Sequence, residues 1–201
     1  MRGLKRAFVI PTLMVMLLSA FSIASAGQKE DGTALLLIDI QNFYFPGGML
    51  PLENPEDASL NARKILDKFR EKGDLVVHIR HNAQSGADIH NSVSPVEGEK
   101  VISKNYANAF KDTDLLEFLK LNKIKHLVIV GMQTHMCLEA ATRAARDYDF
   151  DCTVIADACT TRDLKHGDTI IKAQDVHLST LSSLNGTYAE VMTTEEFLDT
   201  F

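Results

Sequence analysis

The stretch HLVIVGMQTHMCLEAATRAARD, residues 126–147, decides the fold. His126 to Val130 is a β-rich apolar run that stops at Gly131. From Thr134 to Asp147 the pattern changes to an alanine-rich helix, whose small faces suit close packing on a sheet. A continuous apolar strand that hands over to a helix is the unit of a parallel sheet covered on both faces.

The same unit repeats outward from this point. Thr33 to Asp39 is another continuous apolar run, ending in an acid. Asn54 and Pro55 form an N-cap and first-turn pair that opens a helix to about Lys72, where Gly73 ends it. Leu75 to Ile79 reads as the next strand. Residues 80–99 are polar, with Gly86, Pro95 and Gly98, and read as a long loop. Val101 to Lys104 is a short strand, and Thr113 caps a helix to about Leu121. Beyond Asp147, Cys152 to Ala156 is a fifth strand. A helix is expected near Gly167 to Leu181, then a strand from Tyr188 to Met192. Thr193 with Glu196 is a capping box for a last short helix. This order predicts an α/β fold: a single doubly wound, Rossmann-like parallel sheet of about six strands with helices on both faces. In such sheets the chemistry gathers beyond the carboxyl ends of the strands.

The chain has 201 residues, 45% apolar and 24% charged, with a net charge of −6. An acidic chain without a basic stripe is a poor nucleic-acid binder. Residues 1–26 read as a signal peptide rather than part of the fold. Arg2, Lys5 and Arg6 form a positive start, and Ala7 to Ala20 is an apolar stretch interrupted by Pro11 and Thr12. Ala24-Ser25-Ala26 supplies the small residues that signal peptidase needs. The alternative, an uncleaved anchor, asks for a longer apolar run. The expected mature chain is therefore one domain, residues 27–201. It would be exported to a periplasm or medium without a stable membrane anchor, and it carries 18 basic and 27 acidic residues, a net −9. Cys137, Cys152 and Cys159 are an odd set, so at least one thiol is free. Cys152 and Cys159 stand too far apart along one extended strand to pair.

Three reactive groups fall at predicted strand ends. Asp39 closes the first strand, Lys104 the short one, and Cys137 lies in the first turn after Gly131. With Thr134 as N-cap, Cys137 takes the third helical position, near unpaired N–H groups and the positive end of the helix dipole. That setting is expected to lower the thiol pKa, and a nearby Lys104 to lower it further. Taken singly, each residue also has an ordinary reading: a small buried hydrophobe, a loop cap, a solvated lysine.

The segments LLLIDIQNFYFPGG, VISKNYANAF and GMQTHMCLEAATRAA together resemble the isochorismatase-like cysteine hydrolase superfamily, in the same order from about Thr33 to Leu198. The resemblance implies a catalytic triad of Asp39, Lys104 and Cys137. It also implies a cis peptide between Met132 and Gln133, with the Gln133 and Cys137 N–H groups as an oxyanion hole. The implied reaction is acyl transfer through a thioester, with no cofactor, on a small-molecule amide or lactam. The pieces GMQTHMC and DACTTRDL are most similar to a branch that includes streptothricin-lactam hydrolases. Isochorismatases proper lack the cysteine, so their vinyl-ether chemistry is not implied. Relatives commonly form dimers or tetramers, so a homo-oligomer is expected.

Nicotinamidases of this superfamily carry an Asp-x-His metal site after the second strand. Here that region reads VVHIRHNA, with Arg80 and His81 and no acid. No metal is therefore expected, although His78, His81 and His90 fall near that strand and loop. Tyr44 and Phe45 are candidate pocket walls, and His135 a candidate substrate contact. Gln41 is a candidate to orient Asp39. Cys159 and His177 read as packing residues. The competing functions are a metal-assisted nicotinamidase-type amidase and an exported thiol redox or binding protein. The latter lacks a CxxC partner for Cys137 and would leave Asp39 and Lys104 idle. An inactive fold that serves only as an oligomer would also leave the triad without a use.

Overall fold

The computed structural model describes residues 32–201; the expected leader lies outside them. Eight strands and five helices follow one another in these residues. They are β1 (Gly32–Ile38), α1 (Pro55–Lys72), β2 (Leu75–His81), β3 (Lys100–Lys104), α2 (Leu115–Leu121), β4 (Ile124–Met132) and α3 (Glu139–Asp147). Then come β5 (Asp151–Thr160), β6 (Leu164–His166), β7 (Thr169–Ile171), α4 (Ala173–Leu184), β8 (Glu190–Met192) and α5 (Thr194–Thr200). Six strands form one sheet in the order β3-β2-β1-β4-β5-β8, every pairing parallel.

Helices cover both faces. Ala34, Leu36 and Ile38 of β1 pack with Leu115 and Leu119 of α2, Ala141 and Ala145 of α3, and Leu181 of α4. Leu35 and Leu37 face the other way, toward Ala62, Ile65 and Phe69 of α1 and Phe197 of α5. Burial on both faces is why β1 reads as an unbroken apolar run rather than an alternating one. The buried positions of α1 recur at helical spacing, so one stripe meets the sheet. Its end at Gly73 is left-handed, and the Gly73 N–H donates to the Arg70 and Phe69 carbonyls. The capping box at Thr193 and Glu196 is present. No helix among the described residues is long and apolar enough to cross a membrane.

Several local expectations are corrected. Residues 164–171 form an antiparallel hairpin, β6 with β7, where a helix was expected to begin at Gly167; α4 starts only at Ala173. Asn54 sits at the N-cap of α1 but in a left-handed conformation, and its side chain makes no cap bond. Asp114, not Thr113, is the N-cap of α2. The turn after β4 begins at Gln133 and runs as a wide π-type turn over Thr134–Leu138 before α3. Cys137 is therefore the fourth residue after the cap, not the third.

The sheet order places the site. Going outward from β1, the chain winds one way through β2 and β3 and the other way through β4 and β5. The reversal lies between β1 and β4, the place where sheets of this kind bind beyond the carboxyl ends of their strands. Asp39 and Cys137 are what the chain delivers just past those two ends. Gly131 makes their approach possible. Its φ is 127°, and a Cβ there would lie 2.0 Å from the Ile38 carbonyl oxygen. Gly131→Ala is expected to destabilise the fold by about 3 kcal/mol, because neither the backbone conformation nor the contact admits a side chain. Urea unfolding measures this, and a loss under about 1 kcal/mol would contradict the close approach.

Candidate active site

Asp39 leaves β1 in a left-handed conformation, φ 49°, and donates its N–H to the Ile79 carbonyl at 2.9 Å. Aspartate is among the residues that tolerate this region. Its carboxylate is fully buried. Lys104, the last residue of edge strand β3, reaches past β2 and puts its ammonium 2.7 Å from Asp39 Oδ2. Lys104 is 1% exposed, and a lysine so enclosed needs an opposite charge in contact. The same Nζ lies 3.4 Å from His81 Nδ1, since His81 is the register partner of Lys104 across β2 and β3. The Cys137 sulfur, a carboxylate oxygen of Asp39 and a ring nitrogen of His81 lie within 4.8 Å of one another. The structure thus brings Asp39, Lys104 and Cys137 together and adds His81.

The electrostatics differ from the sequence expectation of a lowered thiol pKa. Burial, and then the facing Asp39 carboxylate, push the Cys137 thiol up to about 12 against the opposing pull of Lys104. A helix end and one lysine do not outweigh removal from water beside a fixed negative charge. Burial also raises the Asp39 carboxyl above its ordinary range, with Lys104 opposing. A thiol facing a carboxylate of raised basicity is a proton donor beside its acceptor. Among the described residues, Asp39 Oδ1, buried, has no hydrogen-bond partner.

The peptide Met132–Gln133 is cis. Gln133 is buried, its Nε2 donates to the Tyr44 hydroxyl at 3.2 Å, and its Oε1 has no partner. Burial raises the Tyr44 phenol pKa, so it stays protonated. Phe45 stacks flat on the His90 ring at 3.6 Å. His135 is half-buried, and its Nδ1 is 2.6 Å from Thr161 Oγ1. His177 Nδ1 is 2.9 Å from Thr134 Oγ1, so this histidine braces the turn that carries Cys137 instead of only filling space. Gln41 does not hold Asp39. It accepts from the His81 N–H at 2.7 Å and donates to the His81 and Ala87 carbonyls.

The three histidines considered for a metal part company. His78 Nε2 pairs with Glu99 at 2.8 Å, in a cluster completed by Arg70. His90 caps its own turn and carries Phe45, so only His81 reaches the site. Asp39, His81 and Cys137 could offer a metal three donors, but the Lys104 ammonium already contacts two of them. A divalent ion among them would meet that positive charge at close range, so the donor set does not suit a metal.

One residue escaped the sequence reading. Arg162 places a positive charge where it acts on both Tyr44 and His135, and its buried Nε has no hydrogen-bond partner among the described residues. No motif marked it, although DACTTRDL contains it. A cavity of about 950 Å³ runs between α1 and α4 and is lined by Cys159, Thr161, Arg162 and His177 among others. None of Asp39, Lys104 and Cys137 lines it. It adjoins the turn that carries Cys137 through the Thr161 and His177 bonds.

Comparison with known proteins bears on this geometry. The model of the isochorismatase domain matches residues 33–196. The uncharacterized Bacillus subtilis isochorismatase family protein YddQ is 45% identical over 177 residues, 83% of this chain and 98% of that one. A solved Oleispira antarctica structure assigned to the isochorismatase hydrolases is 43% identical, with a TM-score of 0.82 over 86% of this chain and 98% of that one. More distant are maleamate amidohydrolase of Pseudomonas putida and streptothricin hydrolase of Streptomyces noursei. The first is 28% identical over 81% of this chain and 84% of that one. The second is 27% identical over 64% of this chain and 54% of that one.

Proposed function

This chain belongs to the isochorismatase family of hydrolases, and on that footing we propose that it cleaves a C–N bond of a small amide or lactam through a thioester on Cys137. The observation that carries the reading is the meeting of Asp39 and Cys137 at the switch point, with the Lys104 ammonium 2.7 Å from the carboxylate. Asp39 takes the thiol proton as the sulfur attacks the carbonyl carbon. The Gln133 and Cys137 N–H groups receive the charge that develops on oxygen. Asp39 passes the proton to the departing nitrogen, and the C–N bond breaks. Water then hydrolyses the thioester and restores the thiol. Tyr44, Phe45 and His135 border the substrate, and Arg162 adds a positive charge beside Tyr44 and His135. The relatives that act on maleamate and streptothricin favour an amide or lactam as the substrate class.

The test is intact-mass analysis after brief exposure to a panel of primary amides, dicarboxylic-acid monoamides and lactams. A mass gain equal to the acyl group, mapping to Cys137 and absent from Cys137→Ala, is expected. An adduct elsewhere, or none from any member of the panel, would sink the reading.

Hydrolysis of a productive panel member is expected to survive exhaustive chelation, because Lys104 fills the cation position beside Asp39 and His81. Loss of activity with EDTA and its return with zinc, iron or manganese would instead favour metal assistance.

We also propose that the chain is exported and that residues 1–26 are removed. N-terminal sequencing of the exported protein is expected to start at Gly27. A start at Met1 would contradict cleavage.

A further inference from the structure

Resting on the hydrolase reading above, we propose that His81 is a positioning residue: its Nδ1 accepts a hydrogen bond from the Lys104 ammonium and holds that cation in place while a proton passes between Cys137 and Asp39. The sheet puts the ring there. His81 and Lys104 are register partners at the ends of β2 and β3, and Lys104 Nζ lies 3.4 Å from His81 Nδ1.

The need for this contact comes from burial. The Lys104 side chain is sealed from water, so its three N–H groups must be met by the protein, and a buried donor left unpaired is costly. Asp39 Oδ2 takes one at 2.7 Å. The Cys137 sulfur faces another. His81 Nδ1 takes the third. An ammonium only donates, so Nδ1 holds the lone pair of the neutral ring and Nε2 carries its hydrogen.

The other two acceptors change during the reaction. In the proposed first half-reaction Asp39 gains a proton and loses its charge, and the sulfur becomes part of a thioester. His81 neither gains nor loses a proton, and no bond to it is made or broken. It therefore anchors the ammonium at the moment when the counter-charge is neutralised. Its own support stands apart from the chemistry. Gln41, itself fully buried, bonds both the N–H and the carbonyl of His81 and ties them to the Ala87 carbonyl.

The anchor fails when the ring is protonated. An imidazolium has no lone pair at Nδ1 and sets a second positive charge against the ammonium. The titratable groups that face the ring are Lys104 from β3, Asp39 from the end of β1 and Cys137 from the turn after β4. Burial and then Lys104 lower the imidazole pKa, with Asp39 opposing. The ring is therefore neutral at pH 7 and takes up its proton only below pH 6.5.

The experiment compares two substitutions, using kcat/KM for p-nitrophenyl acetate, an activated acyl donor that loads the thiol without the natural substrate. His81 is half-buried, so both variants are expected to fold. His81→Leu keeps bulk without an acceptor and is expected to lower kcat/KM at pH 7 by about 10- to 100-fold, the worth of one hydrogen bond to a charged group. His81→Asn carries Oδ1 as many bonds from the backbone as Nδ1, and should recover most of that loss. Wild type, in which both His81 and Asp39 titrate, should show an acid limb steeper than one proton allows, and His81→Asn a limb that follows one proton. Equal rates for the two variants, or an unchanged limb in His81→Asn, overturn the inference. So does a long-range proton–nitrogen correlation spectrum of the wild-type protein that shows neutral His81 with its hydrogen on Nδ1 rather than Nε2. Absence of any Cys137-dependent rate in wild type removes the hydrolase reading itself, whereas the ring spectrum judges the contact to Lys104 without reference to activity.

Discussion

Asp39→Asn is expected to lower turnover by about 100- to 10,000-fold, the range of a lost general acid–base group, while making the Cys137 thiol easier to ionise. The two effects have one cause. In the proposed mechanism the carboxylate takes the thiol proton during attack and gives it to the departing nitrogen, and an amide would do neither. At rest, however, the same negative charge is among the causes that hold the Cys137 thiol up at about 12. Removing it leaves Lys104 facing the sulfur alone, so the thiol pKa falls. Asparagine keeps an acceptor for Lys104 at the Oδ2 position, which preserves the local fold. Iodoacetamide labelling over a pH series, read by peptide mapping, gives the midpoint for each cysteine. Cys152 and Cys159, both raised to about 12 mainly by burial, are internal references that stay put. A variant with more than a tenth of wild-type turnover removes Asp39 from the mechanism. A Cys137 midpoint that rises, or does not move, means that the carboxylate does not face the thiol.

Lys104→Met is expected to cost about 3–5 kcal/mol of stability and to abolish turnover. The ammonium and the Asp39 carboxylate are both sealed from water and 2.7 Å apart. Methionine fills most of the lysine's volume but leaves the carboxylate buried without its counter-charge, and breaking a buried pair from one side is costly for that reason. Losing Lys104 also removes a pull that lowers the Cys137 pKa, so the thiol becomes harder to ionise. Chemical unfolding measures the first effect. The double variant Asp39→Asn with Lys104→Met supplies the control. With both charges gone, its destabilisation should fall well short of the sum of the two single losses. Strict additivity, or a single-variant loss under about 1 kcal/mol, would show that the two groups do not form a pair.

The parts of the fold that were legible share a physical cause. Strands β1 and β4 are covered on both faces, so their sequences are unbroken apolar runs that end in a glycine or an acid. The residues at those ends, Asp39 and Cys137, could be picked out because strand ends face the crevice. The hairpin at 164–171 was missed because β7 is exposed along its whole length and so has no burial pattern to read. The helix start at 134 was misplaced because the π-type turn departs from the 3.6-residue period. The pKa of Cys137 was expected in the wrong direction. The dipole and the lysine are visible in the chain order, whereas burial and the angle of Asp39 toward the sulfur exist only after folding. Gln41 lies two residues from Asp39 in the chain, yet its amide spans to the end of β2 and secures His81. Proximity in sequence named the right residue and the wrong client.

Among the described residues β3 is an edge strand, five residues long, with β2 as its single neighbour. Cys137 and Asp39 belong to the middle of the sheet, but the cation that neutralises Asp39 comes from the margin. Edge strands with one partner open locally at lower free energy than central ones. Local opening of β3 would leave Asp39 as a lone buried charge beside the thiol, and under the proposed mechanism it would switch the site off while the central strands stay packed. On that mechanism the heat tolerance of activity is expected to follow the periphery of the sheet, and resistance to global unfolding its centre. Substitutions that strengthen the interior can raise the melting temperature without extending the working range, whereas those that pin β3 to β2 can do the opposite.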